Sequence, residues 1–236
     1  MTTSSVDRYP KLLSLAVHEF RTPASVVGGY LRMLQRDSDP PLSERQRHMI
    51  DEAEKSCARL VAIIAELSDI AKLDAGLLSL AHQPFDLFAL VDEAARGVNE
   101  AADRGVQLSV RGDAEGALIS GDPVRLRRAV EAIFRAVLRE KAGPATVVAE
   151  RRLETVEKGR HAVVVVSDEG SVQAAYAANP GEFDEKKGGL GLALPLARRV
   201  VEGHGGRIWS PASKVDTEFG GDPLARGSIV FAIPVG

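Results

Sequence analysis

A histidine, a carboxylate and a hydroxyl stand close together near the start of the chain, at His18, Glu19 and Thr22. Thr22 lies four residues beyond His18, so a helical backbone stacks the two on one face with Glu19 alongside. The set offers an imidazole nucleophile for covalent group transfer, flanked by a carboxylate that can work with its protons. A zinc-protease helix is excluded by the same spacing, because it needs a second histidine where this chain has Thr22.

The element that must carry these groups is a long amphipathic helix. Leu13, Val17, Phe20, Ala24, Val27, Leu31 and Leu34 alternate steps of four and three, the pattern of a helix that buries one seam. His18, Glu19 and Thr22 fall outside that seam and face solvent. The first helix is predicted from about Tyr9 to Gln35 and is ended by the polar, proline-bearing stretch 36–41, with Pro23 loosening it just past the site. A second helix follows, opened by Ser43 and Gln46 at capping-box spacing. Ile50, Ala53, Cys57, Leu60, Ile64, Leu67 and Ala71 give it a matching seam, and Gly76 closes it. Two such helices form an antiparallel hairpin with apolar surface left to cover, which predicts pairing with a second copy into a four-helix bundle.

From Leu78 the texture changes to short strands mixed with helices. Strands are predicted at 78–83, 106–111, 117–120, 146–151, 162–166, 207–210 and 228–233, with helices at 88–104, 123–140 and 190–204. Asp122-Pro123 has the form of an N-cap followed by proline in the first turn. The run 162–166 is apolar on both faces, as a buried central strand should be. The Gly- and Ala-containing segment between Val166 and Leu190 reads as a long loop. The predicted fold class is therefore α+β: a helical hairpin forming a dimeric four-helix bundle over residues 1–76, then an α/β sandwich over residues 77–236, one mixed sheet with helices on one face.

Bulk properties narrow the function classes. The 236 residues are 44% apolar and 27% charged, with a net charge of -3, which gives no electrostatic case for a nucleic-acid partner. No apolar run approaches the roughly 18 residues needed to cross a bilayer, and the first residues lack a charged-then-apolar signal, so no membrane segment and a cytoplasmic location are expected. Cys57 is the single cysteine, which rules out an intrachain disulfide.

The run Leu15-Ala16-Val17-His18-Glu19-Phe20-Arg21-Thr22-Pro23 closely resembles the phosphoacceptor box of the sensor histidine kinases. The resemblance implies that His18 accepts a phosphoryl group, that Glu19 fixes its tautomer and takes the proton, and that Thr22 positions a water that removes phosphate from a partner. Further along, Val166-Ser167-Asp168-Glu169-Gly170 and Gly188-Gly189-Leu190-Gly191-Leu192 look like two ATP-binding boxes of the same family, and 200–209 resembles the helix-to-strand passage after them. By that resemblance, the second half has the fold of the kinase, gyrase and Hsp90 group of ATPases. Asp168 would accept a hydrogen bond from the adenine amino group, and Gly170 would let the base approach. Gly189 and Gly191 would free backbone N–H groups for phosphate at a helix start, with Lys186 and Lys187 adding charge.

One helix departs from the family. Residues 123–139 occupy the place of its asparagine box, yet Ala132 and Ala136 stand where two asparagines four residues apart are usual, one of them a magnesium ligand. Magnesium supplies several kcal/mol of charge stabilisation in phosphoryl transfer. Glu131 points about 100° away around the helix, while Arg135 and Arg139 could partly neutralise phosphates without a metal. Val172 replaces a further glycine. The expectation is that no metal is held and that ATP binding is weakened. The favoured reading is phosphotransfer between His18 and an aspartate of a response-regulator receiver domain, in a homodimer. The alternatives are a competent kinase that charges His18 from ATP, and a scaffold that binds a kinase or regulator and transfers nothing.

Overall fold

The computed structural model describes residues 5–156, 159–212 and 227–236, and divides into two compact units, Met1–Ser79 and Leu80–Gly236.

The first unit is a helical hairpin of α1 (Ser5–Asp37) and α2 (Glu44–Asp74). α1 runs through Pro23 without interruption, two residues past the predicted end. At the start of α2 the capping box forms as expected: Ser43 Oγ accepts from the Gln46 N–H at 3.3 Å, and Gln46 Oε1 accepts from the Ser43 N–H at 2.9 Å. Gly76 takes φ +64 just past the helix, a left-handed conformation that glycine enters without penalty.

The two seams are used unequally. Val17 is 3% exposed, and Cys57, Ile64 and Ala71 are buried, so these positions pack helix against helix within the hairpin. The alternating positions do not: Phe20 is 57%, Val27 52%, Leu34 49% and Leu60 55% exposed. A single hairpin covers one side of each seam only, because each helix has just one neighbour.

The second unit is a five-stranded mixed sheet with helices against it. Its strands are β2 (Val106–Gly112), β4 (Ala145–Val156), β5 (Gly159–Asp168), β7 (Ile229–Pro234) and β6 (Arg207–Trp209), in spatial order β2-β4-β5-β7-β6. β2 and β4 run parallel, while the other pairs are antiparallel. A small ribbon of β1 (Gln83–Asp86) and β3 (Leu118–Gly121) stands apart. The strand expected at 78–83 is thus displaced, starting where the prediction ended. Asp86 explains this locally: its carboxylate caps the next helix by accepting from the Phe88 and Ala89 N–H groups, which fixes the strand end at that residue.

That helix, α3 (Leu87–Gly97), stops seven residues short of expectation, since Val98 is already extended. With α4 (Pro123–Arg139) and α6 (Ala193–Gly203) it lines one face of the sheet, and Phe88, Phe134, Phe231 and Ile133 form the buried interior. α4 begins as predicted: Asp122 Oδ1 accepts from the Arg125 N–H at 3.0 Å, with Pro123 in the first turn. Arg151 of β4 is 4% exposed, and its guanidinium reaches the Phe88 carbonyl at 2.9 Å and Asp92 at 2.6 Å, tying α3 to the sheet.

The expected long loop contains a helix, α5 (Val172–Ala177). It packs on the other face of the sheet, where Val172 and Ala175 join Val148, Val163, Val165 and Val230 in a second apolar cluster. At six residues it is too short to show a helical period in sequence.

Candidate functional site

α1 presents His18, Glu19 and Thr22 on its solvent side, all three exposed. The His18 side chain is 78% exposed, and its Nδ1 lies 3.6 Å from Glu19 Oε1. That separation exceeds a direct hydrogen bond, but a rotation of the free Glu19 side chain closes it. The seam residue Val17 anchors the turn that carries His18, so the imidazole extends from a rigid element while remaining open to a docking protein. The arrangement suits group transfer to and from a macromolecular partner, which needs access on the attacking nitrogen and a basic group on the other.

In the second unit the residues singled out for a nucleotide converge on the C-terminal end of α4. Asp168 sits at the end of the buried strand β5, as expected. Its Oδ2 accepts from Lys141 Nζ at 2.7 Å. Gly170 is exposed and opens into α5 rather than a glycine-rich approach, because Val172 is buried as the first residue of that helix. Gly189 and Gly191 are exposed in the loop ahead of α6, and their φ values of +61 and +69 are ones that other residues rarely adopt.

The neighbouring Gly188 approaches α4 most closely. A Cβ there would fall 2.7 Å from both the Cα and the carbonyl oxygen of Ala136, so the loop lies directly on the helix backbone. Ala132 and Ala136 are buried beneath it, Ala136 with no exposed surface at all. The Gly188 N–H donates to Glu140 Oε1 at 3.0 Å.

Of the basic groups that sequence offered for phosphate, Lys186 is exposed and the others are drawn away. Arg135 bonds Glu131 at 3.2 Å, Arg139 bonds Glu100 at 2.5 Å, and Lys187 is buried. Glu131 lies on the outer side of α4 between Arg127 and Arg135, away from the two alanines. Alanines thus stand at both asparagine positions, and one oxygen of the half-exposed Asp168 carboxylate is paired with Lys141.

The sequence pointed to neither Glu140 nor Lys141. They look like an ordinary charged helix end, and only the arrival of β5 and the glycine loop gives them partners. His204 was also passed over. Its Nε2 accepts from the Asp122 N–H at 2.8 Å and its Nδ1–H donates to the Val200 carbonyl at 2.6 Å, linking the end of α6 to the start of α4. Burial lowers its pKa from the usual value, outweighing the Val200 bond and the Asp122 charge. For Asp122, burial pushes the carboxyl up, but hydrogen bonds from the Arg125 N–H, its guanidinium and the Ala81 N–H hold it below the usual range.

With this geometry in view, comparison with known proteins gives the affiliation. Residues 11–76 match the His Kinase A (phospho-acceptor) domain, and residues 121–233 match the histidine kinase-, DNA gyrase B- and HSP90-like ATPase family. The chain is a histidine kinase transmitter core. It is 30% identical over 214 residues to the circadian input-output histidine kinase CikA of Synechococcus elongatus, covering 84% of this chain and 27% of that protein. Against the sensor protein GacS of Pseudomonas syringae pv. syringae the identity is 32% over 207 residues, covering 81% and 22%. This transmitter core thus spans about a quarter of the length of those relatives. Among solved structures, full-length ShkA in complex with AMPPNP resembles it with a TM-score of 0.70 at 22% identity, over 96% of this chain and 46% of that one. Histidine kinase ThkA in complex with response regulator protein TrrA resembles it with a TM-score of 0.55 at 17% identity, over 96% and 61%. No helix among the described residues is long and apolar enough to cross a membrane.

Proposed function

We propose that this transmitter core passes phosphoryl groups between His18 and a receiver-domain aspartate, and that its ATPase-like unit serves architecture or docking rather than turnover. In the forward step an imidazole nitrogen of His18 attacks the phosphorus of the aspartyl phosphate. The P–O bond to the aspartate breaks, and the carboxylate leaves. Glu19 fixes the tautomer and takes the proton released from the other ring nitrogen. The reverse step returns the phosphoryl group to the aspartate. Thr22, four residues along the same face, orients a water when the phosphate is removed instead.

The observation that carries this reading is the contrast between the two units: an open imidazole on α1, against buried Ala132 and Ala136 where magnesium ligands would be needed. Losing a cation that contributes several kcal/mol slows transfer from ATP by orders of magnitude, at about 1.4 kcal/mol per tenfold. The half-exposed seam residues Phe20, Val27, Leu34 and Leu60 support a homodimer in which two hairpins form one four-helix bundle.

A second reading, a competent autokinase, is favoured by the presence of Asp168 at the end of β5 and of the glycine loop ahead of α6, in the order such kinases use. Two labelling experiments separate them. A phosphorylated receiver domain mixed with the protein is expected to transfer label to His18, and His18→Gln abolishes this. Label reaching His18 from ATP and magnesium at an ordinary kinase rate would replace the first reading by the second. Label moving by neither route would leave a scaffold.

A further inference from the structure

We infer that Glu140 and Lys141, successive residues at the end of α4, act as an internal counterpart of the nucleotide and latch the glycine loop shut. The inference rests on reading the second unit as a degenerate ATPase, and it identifies residues beyond the missing asparagines that exclude the ligand.

A purine nucleotide would bring two recognisable groups to this place. One is an amino donor for the Asp168 carboxylate, and the other is an anionic phosphate for the backbone N–H groups of the glycine loop. Both roles are already filled from within the chain. Lys141 Nζ donates to Asp168 Oδ2 at 2.7 Å, standing where the amino donor would be. The Lys141 side chain is only 12% exposed, and Gly227 closes over it, since a Cβ at Gly227 would lie 3.1 Å from Nζ. Glu140 Oε1 accepts from the Gly188 N–H at 3.0 Å, standing where a phosphate oxygen would be.

The two contacts act together because they come from adjacent residues on one helix end. Glu140 draws Gly188 down until its Cα meets the Ala136 backbone, with no room for a Cβ between them. Lys141 meanwhile ties β5 to the same helix end. A nucleotide would have to break an ion pair, displace a carboxylate from a backbone donor and then place its phosphates beside that carboxylate. Each demand opposes binding, and the last adds like-charge repulsion beside the exposed Glu140 carboxylate.

The test measures binding, not turnover. The full chain, as wild type, Glu140→Ala, Lys141→Thr and the double variant, is titrated calorimetrically with ATP, with and without magnesium. Thermal melts confirm that each variant is folded. Wild type is expected to show no saturable binding up to about 1 mM, and the double variant to gain at least about tenfold in affinity. Amide exchange at Gly188 is read in parallel and is expected to quicken in Glu140→Ala, whether or not nucleotide then binds. Micromolar binding by wild type, a folded double variant that binds no better, or unchanged Gly188 exchange would each overturn the latch. Transfer from a receiver domain to His18 is read separately, so its failure would remove the proposed function and leave the binding result standing.

Discussion

Gly121 lies at the end of β3, directly under the His204 ring, and replacing it with alanine should loosen the whole second unit. The new methyl would fall 2.3 Å from His204 Cδ2 and 2.6 Å from Nε2, closer than any packed pair of atoms. The ring cannot stay. Expelling it forfeits two hydrogen bonds, to the Asp122 N–H and the Val200 carbonyl, worth about 1 kcal/mol each. It also leaves the Asp122 N–H unpaired at a buried position, a further cost of about 1–3 kcal/mol. Against this, alanine restrains the unfolded chain and returns about 0.4–1 kcal/mol. The net loss is about 3 kcal/mol, which for a unit of this size lowers Tm by about 6–12 °C.

Thermal melts of the full chain measure this, and a second signature accompanies it. His204 is half-buried, and desolvation depresses its pKa, the Asp122 carboxylate opposing the shift and His82 adding to it. A histidine with a lowered folded pKa binds fewer protons than it does unfolded. Its contribution is therefore complete above the unfolded value of about 6.5 and is lost as pH falls below it toward the folded value. Protonation of Nε2 also removes the acceptor for the Asp122 N–H. Wild-type Tm is thus expected to fall between about pH 7 and pH 5. Gly121→Ala should start lower and show a shallower fall. A variant that melts within a degree or two of wild type, or keeps the full pH slope, would refute this account of the α4–α6 junction.

Three further outcomes follow from the same structure. Val27→Glu places a charge at a seam position that is 52% exposed in the single hairpin. It should convert the proposed dimer to monomer in analytical ultracentrifugation, whereas a variant that stays dimeric would place the interface elsewhere. Ala136→Asn puts an amide into a fully buried position against Gly188, so it should lower stability by about 2 kcal/mol or more in denaturant unfolding and fail to restore magnesium-dependent labelling. Val172→Asp buries a carboxylate in the cluster under α5 and should cost about 3 kcal/mol, read as a fall in the denaturation midpoint; an unchanged midpoint would show that α5 contributes nothing to the fold.

What sequence alone determined was whatever depends on neighbours a few residues apart. The Ser43–Gln46 box, the Asp122 cap and the heptad seams are local patterns, because hydrogen bonds at a helix end and the helical period both repeat within one or two turns. The same holds for His18, Glu19 and Thr22, which share a face through helix geometry. Family boxes added the order of elements in the second unit, and the two alanines in α4 were legible as an absence.

Tertiary structure decided the rest. The length of α3, the six residues of α5 and the position of β1 follow from what packs against them, not from their own period. Most of all, it decided what the residues singled out for a nucleotide contact. Lys141 meets Asp168 across 27 residues, Glu140 meets Gly188 across 48, and His204 meets Asp122 across 82. No periodicity connects such pairs. Each charge at a helix end looks solvated until the sheet and the glycine loop fold against it. Only then do a lysine and a glutamate meet the Asp168 carboxylate and the Gly188 N–H.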